Sequence, residues 1–409
     1  GGEVGGGGDV EAARGAKGCG AGPDWSTPAD ISALEVAQLC TLFLGWRSRA
    51  AWIGAVCSLH LAAMWTCCAI WVATAHASLG YPPSLDPTAS PGPLLALCAS
   101  VLLPLCALQA RGSGSTAHVQ GQLAVATLGT LLLMVATLAS ALALAAADPS
   151  APRLFASPRT RHSGSVQPLV DLQGYSGALP TFLFSHIVQQ SVPSLRRAAA
   201  APEATRAALS GALAACCALY LLLGCLAASY FGPDTAPLVT LNFELFTGGA
   251  PAGTARPLWA RVVAGWVTLL PLLTTTAAFP LFNGVLAANL VHALPPKLAT
   301  PTVAAALCAL PPLLLTGAVT DTTFLFQLCG LSGFAIVFFV PAALQHASLR
   351  ASVARWGEAG RDTPHSTCFS GARPVLAVVA LGGAAFAQNA WTLLLRPLLA
   401  SLVGAAPGL

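Results

Sequence analysis

Apolar residues in this chain fall in long unbroken blocks, without the two-residue alternation of a half-buried strand or the short stripes of a soluble amphipathic helix. Nine blocks are long enough to span a hydrocarbon core of about 30 Å. They are residues 51–75, 93–110, 123–147, 176–194, 207–231, 262–291, 302–319, 324–344 and 374–395. Each predicts a largely helical segment, because lipid offers no partner to an unpaired backbone group. Ahead of them, the stretch from Asp30 to Gly45 is short and amphipathic. It predicts an interfacial or cytosolic helix with Asp30 as N-cap. Residues 1–29 form a Gly-rich tail without periodicity, and residues 30–409 form a polytopic membrane domain.

Composition supports this reading. Only 8% of residues are charged, against about 25% in a soluble domain. The net charge of +4 is too small to suggest nucleic-acid binding. With the start of the chain placed in the cytosol, eleven basic residues near span ends fall inside and six outside. Residues 148–175 then face the exterior or an organelle lumen. Plasma membrane, vacuole and lysosome all fit. Ten of the 13 cysteines lie in apolar blocks with no zinc-type spacing, which reads as packing.

The 15 acidic residues all lie outside the span interiors, with Asp321 at the mouth of the eighth. A pump driven by a buried carboxylate is thereby disfavoured. The fourth block, SGALPTFLFSHIVQQSVPS, is unusual. It carries Gly177, Pro180 and Pro193 with Ser185, His186, Gln189, Gln190 and Ser191 between them. Proline removes a backbone donor, so a broken helix is expected there, with backbone and side-chain groups offered to a solute at mid-membrane. Gly177, Pro180, Ser185, His186 and Gln189 are the candidate substrate-binding residues. The plainer reading is a kinked packing helix.

The sixth block holds Thr274, Thr275 and Thr276 ahead of Pro280 and Asn283. Hydroxyl oxygens suit a hard cation, which makes Thr274 and Thr276 candidate ion ligands; equally, helical threonines bond back to their own carbonyls. Gly330, Ser332 and Gly333 in the eighth block read as a surface for close helix packing. GYSG at 174–177 matches a rhomboid-like GxSG pattern and leaves an intramembrane serine hydrolase at Ser176 as a remote third reading.

LPTFLFSHIVQQSVPSL, TLNFELF, TTTAAFPLFNG and LSGFAIVFFVPAAL occur in that order. In them the chain resembles the amino acid/auxin permease family of transmembrane amino-acid transporters, most of all its transmembrane protein 104 branch. The resemblance runs from about Asp30 to Arg350. It implies an all-α integral membrane fold of about nine transmembrane helices, similar to an inverted-repeat (5+5) transporter lacking its first two helices. The chain begins with Gly1 and reads as a fragment, so restoring upstream helices is expected to restore transport. The implied function is secondary transport of amino acids or similar small organic solutes, with sodium or proton as coupling ion and no enzyme activity or other cofactor. The partners are the solute and the lipid bilayer. The alternative on the same fold is a nutrient sensor that binds solute without moving it.

Overall fold

The computed structural model describes residues 34–79, 92–111, 116–148, 153–156, 172–193, 195, 204–251, 253–291, 294–295, 297–361 and 371–403. The Gly-rich tail, Asp30 and most of the 148–175 loop lie outside them. The helices are α1 (Val36–Leu44), α2 (Trp46–Leu79), α3 (Gly92–Ala110), α4 (Thr116–Ala147) and α5 (Leu172–Ser185). They continue with α6 (Thr205–Phe231), α7 (Leu258–Val291), α8 (Pro301–Thr316), α9 (Thr322–Phe334) and α10 (Val340–Trp356). The last are α11 (Ala372–Ala390) and α12 (Arg396–Val403). Among the described residues no β-sheet forms; a lone bridge joins Phe155 to Phe246.

Among the described residues, seven continuous helical stretches are long and apolar enough to cross a membrane: 46–78, 92–110, 121–147, 205–234, 258–291, 322–361 and 372–399. They account for seven of the nine expected spans. Two of the blocks fall short of a spanning helix: α8 has 16 residues, and the fourth block supplies only the 14-residue α5 before the helix ends. The outer surface shows why the protein belongs in lipid. Val125 and Leu314 are each 74% exposed and Leu376 69%, on helices with almost no charge. Water would not tolerate an apolar belt of this extent.

Prolines set the irregularities. The stretch 322–361 passes through a π turn at Ala335–Phe339, two residues before Pro341. A second π turn at Trp391–Leu395 precedes Pro397 by the same interval. Each proline lacks the N–H that a carbonyl four residues earlier would take, and the helix widens to compensate. At the other end, α1 is opened by a capping box between Glu35 and Gln38, with the Glu35 N–H donating to Gln38 Oε1 at 2.8 Å. Asp321 is explained in the same way. Its Oδ1 accepts from the Thr323 and Phe324 N–H groups at 2.9 and 3.3 Å, so it caps α9.

The centre of the bundle is the α2–α7 pair. Trp71, late in α2, donates to Thr276 Oγ at 3.1 Å, while the earlier His60 meets the later Phe282 edge-on at 5.6 Å. The reversed order makes the two helices antiparallel. Helices α3 and α8 pack on this pair, and Met64, Cys67, Cys68, Cys98, Cys106, Phe279 and Cys308 fill the space between. The cysteines act here as small apolar side chains. Helix α5 packs on α9 and α11. One end of α7 is covered by a 3₁₀ turn at Val239–Leu245, formed by the TLNFELF segment. Phe155 sits fully buried among Tyr230, Phe231, Phe243 and Phe246, with ring centroids 5.2–5.3 Å away.

Candidate functional site

The fourth block is a broken helix, and its own polar side chains hold the break. Helix α5 ends at Ser185, and Gln189–Ser191 form a 3₁₀ turn after an irregular Ile187–Val188 step. In a continuous helix the Phe182 carbonyl would accept from the His186 N–H. Here that N–H turns to the Leu183 carbonyl at 3.0 Å. The Phe182 carbonyl accepts instead from Ser185 Oγ at 2.8 Å and from His186 Nδ1 at 2.9 Å. Beyond the break, the Val188 N–H donates to the Gln189 side-chain oxygen at 2.9 Å. Ser185, His186 and Gln189 therefore replace the backbone bonds that the break removes.

This arrangement orients the imidazole. Nδ1 lies 2.8 Å from Ser185 Oγ and 2.9 Å from the Phe182 carbonyl oxygen, which can only accept, and the tautomer that donates from Nδ1 has Nε2 as its acceptor. The ring lies 4.3 Å from the Phe182 ring and 5.8 Å, edge-on, from Tyr220 of α6. Among the described residues neither the buried Nε2 nor the buried Oε1 of Gln190 has a hydrogen-bond partner. Buried acceptors without donors are rare and point to an absent partner. Ser185 is exposed at the side of the bundle, whereas His186 and Gln189 are half-buried.

Gly177 and Pro180 serve the seat of α5. A side chain at Gly177 would come within 2.9 Å of Gln327 Nε2 on α9, and a side chain at Gly330 would run into the Pro180 backbone. Gly330 and Gly333 are thus where α9 lets α5 approach. The GYSG segment begins α5, but the Ser176 side chain lies outside the described residues.

The threonine run lies elsewhere. Thr274 and Thr275 donate to the Pro271 carbonyl at 3.0 and 2.7 Å, and Thr276 donates to the Leu272 carbonyl at 2.7 Å while accepting from Trp71. The run rests on α2. Helix α7 comes near α5 through Phe282, which joins Phe184 and Ile187 around Ile336 and Leu59. Helix α2 seats the run through the bond from Trp71 to Thr276. Among the described residues no group of three His, Cys, Asp or Glu side chains is placed to hold a metal ion.

Gln190 was visible in the sequence as part of a polar run, but nothing in its spacing separated it from Gln189. Asn283 and Gln109 are similar cases. Both have a buried side-chain oxygen without a partner, and both line a cavity between α3, α7 and α8. No protein-family model matches the chain, and no curated protein matches it.

Proposed function

We propose that this protein is a secondary transporter of amino acids or similar small organic solutes, with the α5 break as part of its solute site. The observation that carries the reading is the pair of buried, unpartnered acceptors at the break, His186 Nε2 and Gln190 Oε1. Their complement is a donor, and the ammonium of an amino acid supplies one. A discontinuous helix in an apolar bundle is a recurrent way to bind a polar solute away from water. The likeness to the amino acid/auxin permease family supports the same reading, with the inverted 5+5 repeat as its finer content. On this reading α5 opens the second repeat.

Ion coupling is the weaker part of the proposal, because the hydroxyls of Thr274, Thr275 and Thr276 already donate to their own helix. A sodium ion there would use the remaining lone pairs and need oxygens from other segments.

The test is uptake of a labelled amino-acid mixture into proteoliposomes by the protein translated from the full transcript. Uptake should fall at least about tenfold in His186→Ala and Gln190→Leu, at unchanged expression, as expected for loss of a buried hydrogen bond to a charged group. Absence of uptake by the unmodified protein, or uptake indifferent to both substitutions, would refute the assignment.

A further inference from the structure

A cavity of about 670 Å³ lies between α3, α7 and α8. It is lined by Cys106, Gln109, Pro280, Asn283, Ala287 and Pro301, among others, with no charged side chain among the described residues of its wall. Asn283 is 1% exposed, and its Oδ1 has no hydrogen-bond partner among the described residues. Gln109 Oε1 is likewise buried and unpartnered. Two residues with buried amide oxygens, on different helices, thus line one partly open space.

The backbone adds to the same polarity. Gln109 and Ala110 belong to the last turn of α3, and Ala288 and Val291 to the last turn of α7. The carbonyl ends of helices carry partial negative charge, and these two stand against the single amide end of α8 at Pro301. The remaining wall is short and aliphatic: Ala110, Val285, Ala287 and Ala305. Such a space complements a ligand with a donor-rich cationic end and a small apolar body. A carboxylate would find no basic partner in the wall and would face the amide oxygens. The cavity therefore differs in chemistry from an amino-acid site, which must satisfy both charges.

We propose that this cavity is a second binding site, separate from the α5 break, that takes the primary ammonium of a small aliphatic amine through Asn283 Oδ1 and Gln109 Oε1. The occupant is either a soluble amine or the headgroup of an ethanolamine phospholipid, which share that chemistry.

The test uses the full chain in phosphatidylcholine nanodiscs, titrated calorimetrically with n-butylammonium and, in parallel, with butyrate and n-butanol. Butylammonium should bind and the other two should not. Asn283→Leu and Gln109→Leu should each weaken binding by about tenfold, the usual effect of losing a hydrogen bond to a charged donor. Asn283→Asp, which adds a charge at the same place, should tighten it, and this variant guards against a fold defect in Asn283→Leu. His186→Ala should leave butylammonium binding unchanged, which separates this site from the proposed solute site. Repeating the titration in discs containing phosphatidylethanolamine identifies the source: competition marks the lipid headgroup, and its absence marks a soluble amine. No binding of butylammonium, equal binding of butanol, or binding unaltered by all three cavity substitutions overturns the proposal.

Discussion

His186 Nδ1 lies 2.9 Å from the carbonyl oxygen of Phe182, the acceptor that a continuous helix would give to the His186 backbone N–H. One side chain thereby ends α5 and orients its own ring, with Nε2 buried and without a partner among the described residues. The break and the candidate ligand group are the same residue. His186→Ala should therefore do two things together. It should abolish solute binding, and it should let helix propagate toward Val188, seen as slower amide exchange at residues 186–188. Global stability should change by only about 1 kcal/mol, since the backbone can recover the lost bond. Binding lost with exchange unchanged would assign His186 to the ligand but not to the break.

Thr276 and Thr274 are separable by stability. Thr276 Oγ accepts the Trp71 indole N–H at 3.1 Å and joins α7 to α2, while the hydroxyl of Thr274 donates within its own helix. Thr276→Val should cost about 1–3 kcal/mol because it strands a part-buried indole donor. Thr274→Val should cost less than about 1 kcal/mol. Unfolding in detergent measures both. If Thr274→Val also weakens a sodium dependence of uptake while leaving stability intact, the run holds an ion despite its internal bonds.

Much of the architecture was legible because membrane helices follow from length and hydropathy alone. That the fourth block breaks was legible from its polar run, but the place was not: Gly177 and Pro180, read as the breakers, lie inside the continuous α5, and the helix ends at Ser185. The mechanism of the break was not legible either, because it depends on which acceptor Ser185 and His186 choose. The α5 seat was half-legible: Gly330 announced a close approach, but no pattern named Pro180 as the residue approached. The back-bonding of the threonine run was legible as an alternative, but its contact with Trp71 was not, since one-dimensional order says nothing of α2 lying against it. Asn283 and Gln109 sit 174 positions apart, and only packing brings them to one cavity.

Glu244 gives the 3₁₀ cap at 239–245 a pH dependence. Partial burial pushes its carboxyl pKa upward, opposed by His76 and Arg256. A raised folded pKa means the cap binds a proton more readily than the unfolded segment does. Its contribution is fully present below the ordinary glutamate value of 4.5 and is lost as pH rises through the folded value. Amide exchange in the cap should accordingly quicken as pH climbs out of the acid range, beyond the intrinsic base catalysis measured on the free peptide. Glu244→Gln should remove that excess. An excess persisting in the variant would place the titrating group elsewhere.

The α5–α9 seat yields a graded series of glycine substitutions, because the three positions meet different obstacles. A methyl group at Gly330 would be driven into the Pro180 backbone, which cannot rotate away. At Gly333 it would come 2.9 Å from Ile187 Cδ1, the far end of a flexible side chain. At Gly383 on α11 it would meet nothing within 4 Å. Overpacking against backbone forces whole elements apart and costs about 3 kcal/mol or more, whereas a rotatable tip yields for about 1 kcal/mol. In open space alanine gains about 0.5–1 kcal/mol over glycine within a helix. Gly330→Ala should thus unfold most readily, Gly333→Ala should be mildly weakened, and Gly383→Ala should equal or exceed the parent. The Gly330 variant should also lose solute binding, because pushing α5 outward shifts His186 from the bundle. Thermal unfolding of the three variants in one detergent decides the order. A Gly330 variant as stable as the parent would mean that α5 is not seated on α9 as described, and the site built on its break would move with it.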